Sequence, residues 1–317
     1  MKYQVKIKKL FILFFIIFTN LNVIFAQEEQ STQTLTEESP NKIDTICFKY
    51  YFFPKDTLIY KVNSIDSLTH NLDAPVFKVR EDKYQVVCDS VDFSNNFYLT
   101  LTALTTNIKE WSQKSDTVTH TSSPWLGKRV RLVIDTLGNR KKVYMIDSNF
   151  AITSMGGAFQ PYLFFPIVET CKILGRSWLV KTSDTLYENA FPPAILNQTS
   201  LFRMKDTLLL DSEKIALVTF VKTGRGIYNL NNAEIDMHVD NVINMYGELM
   251  ISLENNIPVQ YIATQEQKLS LTINDGAVVP SWQHSTIRYQ LESFKRDYSQ
   301  VKKEIEKLRN ELKKKKK

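Results

Sequence analysis

Cysteine is scarce in this 317-residue chain. Cys47, Cys88 and Cys171 are too few for a disulfide scaffold, and no Cys-x-x-Cys pair or Cys/His cluster offers a zinc site. One bridge with a thiol left over is compatible with three cysteines, and their spacing does not choose the pair. His70, His120, His238 and His284 lie far apart, and none falls in a His-Glu-x-x-His pattern. Nine glycines and ten prolines exclude a collagen-like, linker-rich or low-complexity chain. There is no Gly-x-Ser-x-Gly, no glycine-rich phosphate loop and no Ser-x-x-Lys. These absences lead to the expectation of a non-enzymatic protein with no cofactor and no metal. Two carboxylates that meet only in space would leave no motif, so a hydrolase is the alternative from the enzyme class.

Charge is also missing where a uniformly basic protein would carry it. The formal net charge is +6, yet residues 27–294 hold more acids than bases, and the basic excess lies at the two ends. Lys2, Lys6, Lys8 and Lys9 precede the apolar run 10–18, and the small residue Ala26 is followed by the acidic, glutamine-rich 27–30. That order is the layout of a secretory signal peptide over 1–26, with cleavage after Ala26. An uncleaved membrane anchor is the competing reading, and under either one the rest of the chain is exported. The expected location is periplasmic, envelope-associated or extracellular. Residues 27–43 have little apolar content and read as a disordered spacer.

At the other end, Leu291, Phe294, Tyr298, Val301, Ile305, Leu308 and Leu312 are spaced alternately three and four apart. This heptad predicts a basic amphipathic helix over 295–317, with Tyr298, Val301, Ile305, Leu308 and Leu312 as a self-association stripe in a homo-oligomeric coiled coil. The competing assignment gives Leu291 and Phe294 to the last strand of the body, which leaves a short helix. The run Lys313–Lys317 would touch anionic lipid or glycan; nucleic acid is not expected, because no stacking aromatics are interleaved with it.

Between these ends the apolar pattern has period two. Leu58-Tyr60-Val62, Tyr84-Val86-Cys88, Phe97-Leu99-Leu101, Val130-Leu132-Ile134, Leu249-Ile251-Leu253 and Ile287-Tyr289-Leu291 all alternate. The predicted fold is mainly β: an antiparallel curled sheet, half-barrel or two-halved β-structure over 44–294. Its halves would fall near 45–150 and 175–294. Hairpins are expected at 130–144, with positive φ at Gly138, and at 249–261, with Pro258 marking an edge or bulge. The segment 147–171 breaks the alternation and is dense in aromatics, which predicts a short helical insert bent at Gly156-Gly157, Pro161 and Pro166. It would be either a buried cap or a lid over an apolar pocket, in which Phe159, Tyr162, Phe164, Phe165 and Trp178 contact a lipid-like guest.

Pro166, followed by Gly175-Arg-Ser-Trp178 after an apolar patch, with the two hairpins and the leader, resembles a family of exported β-rich proteins of unknown function from Bacteroidota-type bacteria. The resemblance spans about 50–294, with Arg176 where an acidic residue is expected. It implies an architecture and a compartment, and no catalytic residues. The function expected from all of this is an exported cell-envelope protein whose β-domain binds an apolar ligand or an envelope partner. A structural or assembly protein acting through its C-terminal coiled coil is the alternative.

Overall fold

The computed structural model describes residues 44–298 apart from 72, 124, 148–162, 189–190, 232–235 and 274–275, together with Lys302 and Glu306. The expected signal peptide and spacer lie outside the described residues. The strands in chain order are β1 (Thr45–Cys47), β2 (Thr57–His70), β3 (Val76–Val91), β4 (Phe97–Ser112), β5 (Ser115–His120), β6 (Arg129–Ile134), β7 (Arg140–Met145), β8 (Cys171–Ile173), β9 (Ser177–Glu188), β10 (Phe191–Leu210), β11 (Glu213–Asn231), β12 (Asp236–Ser252), β13 (Pro258–Ile273) and β14 (Ala277–Lys295).

Twelve of them form one antiparallel sheet in the order β7-β6-β4-β3-β2-β14-β13-β12-β11-β10-β9, with β5 on β4. Apart from β1, the strands of both expected halves thus share a single sheet, joined where β14 pairs with β2. β7 and β9 end its path, so the sheet is open and not a closed barrel. Within β2, Leu58, Tyr60 and Val62 are fully buried while their neighbours face out, as the alternation requires. Register shifts interrupt β3, β10, β13 and β14, where Asp89, Lys205, Val259 and Glu292 are the extra residues. Such bulges bend and twist a strand locally, which lets a wide sheet curl round one core. Pro258 opens β13 beside the extra residue Val259, at the bulge expected of it.

Both expected hairpins form. In the β6–β7 turn Asp135 Oδ1 accepts from the backbone N–H groups of Leu137 and Asn139, each at 2.9 Å, and Gly138 takes φ 77°. Its extra hydrogen bonds hold the Asp135 carboxyl below the usual range against the opposing effect of partial burial.

The expectation of helix over 163–170 needs correction, whereas most of the expected C-terminal helix lies outside the described residues. No helical element is present among the described residues. The described part of the insert, 163–170, is extended and irregular, and its backbone bonds reach outward: Phe165 N–H to Tyr50 Oη at 3.2 Å, Ile167 N–H to the Leu137 carbonyl at 2.8 Å. Pro166 supplies no donor, and Val168 sits at φ 62°, so helix cannot continue there. Leu291 and Phe294, the first two members of the expected heptad, belong to β14 and pack against the core. Beyond it Tyr298, Lys302 and Glu306 have helical backbone without making up an element. Tyr298 is 64% exposed; Val301, Ile305, Leu308 and Leu312 lie outside the described residues.

A second layer lies against the inner face of the sheet. Ile46, Phe48, Tyr50 and Phe52 alternate inward from an extended segment tied by Phe48 N–H to the Thr170 carbonyl (2.8 Å) and Tyr50 N–H to the Thr136 carbonyl (2.9 Å). β1 pairs with β8, and Cys47 faces Cys171 across that ribbon in a disulfide that closes a 124-residue separation. Cys88 is the free, buried thiol, its pKa pushed up to about 12 by desolvation, with Asp56 and Asp89 adding to the shift. Replacing both Cys47 and Cys171 with serine is expected to lower unfolding stability by about 2–4 kcal/mol in urea titrations. The native protein should give no thiol signal with an aqueous disulfide reagent and one after denaturation; a rapidly labelled native thiol would contradict this arrangement.

Candidate functional site

The inner face carries an arc of rings set by strand register. Trp178, Phe202 and Phe220 are direct partners across β9, β10 and β11. Trp178 and Phe202 stack at 5.5 Å, and the arc continues through Phe220–Tyr261 at 5.5 Å, Tyr261–Tyr289 at 5.8 Å and Tyr84–Tyr289 at 6.4 Å. Phe220 and Tyr261 lie on strands separated by β12, and Gly247 between them explains how they touch. A Cβ there would come within 2.9 Å of the Phe220 ring and 2.0 Å of the Ile262 carbonyl.

The segment 163–167 lies across this arc. Phe165 stacks on Phe202 at 4.9 Å, and Phe164 meets Tyr50 and Phe52 edge-on at 5.5 and 5.8 Å. Gly138 lets the β6–β7 turn seat against it, since a Cβ would meet the Phe165 carbonyl at 2.3 Å. Between this segment and the sheet is a cavity of about 300 Å³. Val86, Leu101, Val130, Leu132, Ile134 and Val143 line one wall, Val180, Phe202 and Phe220 the other, and Tyr60, Tyr84, Tyr261 and Tyr289 the floor. Both end strands of the sheet, β7 and β9, contribute to it. Its size is at the small end of the ~300–1,000 Å³ typical of ligand pockets.

The floor phenols are bonded inside the protein. Tyr60 donates to the Pro258 carbonyl at 2.7 Å and Tyr84 to Asp82 at 2.8 Å. Burial raises the pKa of all four, so they stay neutral hydroxyls. Asp82 also accepts from Thr106 at 2.5 Å and pairs with Arg80 at 3.0 Å. Burial works against the Arg80 charge, yet the Asp82 and Asp66 carboxylates near it favour that charge, and its pKa is raised. Farther along the same face, Asn241 is fully buried and neither its Oδ1 nor its Nδ2 finds a partner among the described residues.

Of the residues expected to contact a guest, Phe164 and Phe165 line the cavity. Trp178 does not; it backs the wall through Phe202, with Lys172 Nζ 4.8 Å from its ring centroid. Phe159 and Tyr162 lie outside the described residues. Tyr60, Tyr84, Val86, Leu101, Val130, Leu132, Ile134, Leu249 and Tyr289 fall in the period-two stretches, whereas Val180, Phe202, Phe220 and Tyr261 lie outside them. No carboxylate lines the cavity among the described residues, and no group there could hold a metal ion.

No protein-family model matches the chain, and no curated protein matches it. Among solved structures the chain is similar to one described as "lipid-protein interactions in lipovitellin", with a TM-score of 0.44 and 12% identity over 77% of this chain. The match covers 26% of that chain, so this protein spans about a quarter of its length.

Proposed function

We propose that this is an exported, non-enzymatic protein of the cell envelope whose curled sheet holds an apolar ligand beneath the segment 163–167. The carrying observation is the cavity of about 300 Å³ walled by aliphatic and aromatic side chains from both ends of the sheet. A core evolved only for stability is filled to near-crystalline density, and an apolar void forfeits contacts along its whole lining. A guest would restore those contacts.

Filling the cavity from within tests this reading. Val143 lies in the short end strand β7 and lines the space, so Val143→Trp occupies it with little disturbance of the long strands. The unmodified protein is expected to bind a fluorescent acyl probe at one site per chain, and Val143→Trp to weaken that binding at least about tenfold, a loss of about 1.4 kcal/mol, with an unlowered melting temperature. Equal uptake by both proteins, or none by either, would contradict the reading.

A further inference from the structure

One end of the cavity is sealed and the other reaches solvent. The floor phenols Tyr60, Tyr84, Tyr261 and Tyr289 come from β2, β3, β13 and β14, the middle of the strand order, and all are buried. The two end strands line the space differently. Val143 of β7 and Thr182 of β9 are half-buried, and Ser183 of β9 is exposed.

Thr182 and Ser183 locate the opening. Consecutive residues of a strand point to opposite faces of the sheet. Thr182 pairs with the buried Gln198 and Ser183 with the exposed Asn197, so the first faces inward and the second outward. Both nevertheless line the cavity. One space touches both faces of a strand only where it passes round the strand's edge, and the edge of β9 away from β10 is unpaired in the sheet. β7 likewise pairs with β6 alone, and Asn139, in the turn that leads into it, is on the lining too. The mouth therefore lies between the free edges of the two end strands, opposite the tyrosine floor.

Polarity follows the same direction. Asn139, Thr182 and Ser183 form a polar rim, which Gln198 continues inward, and the lining deeper in is dominated by rings and aliphatic side chains. An apolar chain gains by leaving water for those walls. A polar head drawn after it would give up its water against a largely apolar lining. We infer that the ligand is a single-chain amphiphile that enters chain-first between β7 and β9 and keeps its head at the rim beside Thr182 and Ser183. This rests on the apolar-ligand reading above and adds to it the ligand's class, orientation and route.

Two measurements on the full chain test it. The first compares dodecanol with dodecyl maltoside, each below its micellar concentration, by displacement of the acyl probe. A head that stays outside can be large, so the maltoside is expected to bind within about threefold of the alcohol, a difference of less than about 1 kcal/mol. Binding of dodecanol without the maltoside would mean an enclosed head and overturn the orientation. The second attaches a bulky maleimide to Ser183→Cys and, as a control, to Val221→Cys on the exposed outer face. The label at 183 should slow probe association and release alike, by about tenfold or more, and leave Kd unchanged, because an obstructed mouth alters both rates and not their ratio. The label at 221 should alter neither rate. Equal rates in the two labelled proteins would overturn the route and leave the cavity standing, whereas no binding of any compound by the unmodified protein would overturn the apolar-ligand reading as well. The maltoside comparison needs no variant, so it decides the orientation even where a substituted chain folds poorly.

Discussion

Arg296→Ala is expected to destabilise the protein by about 3–5 kcal/mol, the cost of leaving one charge of a buried pair uncompensated. Arg296 lies one residue past β14, in the stretch that reads from sequence as the start of a basic amphipathic helix. Its guanidinium instead makes a forked contact with the fully buried Asp56, Nη2 to Oδ2 at 2.7 Å and Nε to Oδ1 at 3.1 Å. It also donates to the Tyr51 carbonyl at 3.2 Å, between the rings of Phe53 and Phe294 at 5.0 and 4.8 Å. One side chain thus fastens the end of β14 to the approach to β2, the seam on which the sheet is built. Urea unfolding measures the loss. Arg296→Lys should recover only part of it, because an ammonium cannot reproduce the planar fork or the ring contacts. A change below about 1 kcal/mol would place the pair with ordinary surface bridges and contradict its assigned role.

Phe165→Ala should cost about 3–5 kcal/mol, the range for emptying a buried aromatic site. Phe165 is 6% exposed, stacks on Phe202 and lies 6.1 Å from the Tyr50 ring. It is also a wall of the cavity, so its removal enlarges the space that the proposed ligand fills. Two readouts should therefore move together: a lower urea midpoint, and a shift in probe preference toward bulkier chains. A stability loss with unchanged chain preference would mean that Phe165 packs the core without shaping the cavity.

How far the molecule is legible in its sequence depends on the range of the interactions. The alternation at Leu58-Tyr60-Val62 and Tyr84-Val86-Cys88 marks inward-facing strand positions, because the period is a property of the backbone alone. The segment at Ile46, Phe48, Tyr50 and Phe52 alternates as plainly, although it builds the second layer and not the large sheet. The heptad that begins at Leu291 shows how the two periods can be confused. The bulge at Leu291/Ser293 inserts one residue, so Leu291 and Phe294, three apart, face the core from a strand and imitate helical spacing. The aromatic density of 163–165 identified part of the cavity wall but not its backbone form, since that segment takes its hydrogen bonds from Tyr50 and Leu137, distant in sequence. The pairing of Cys47 with Cys171 and the gathering of Tyr60, Tyr84, Tyr261 and Tyr289 on one floor depend on sheet order, which no local pattern encodes.

The central claim, a ligand-holding space inside the sheet, is tested most directly by weighing the folded protein. Native mass spectrometry of the protein purified from its native source under non-denaturing conditions should show each chain carrying one additional small mass, which disappears on denaturation. A bare polypeptide mass that stays bare after incubation with saturating lipid extract would contradict the account.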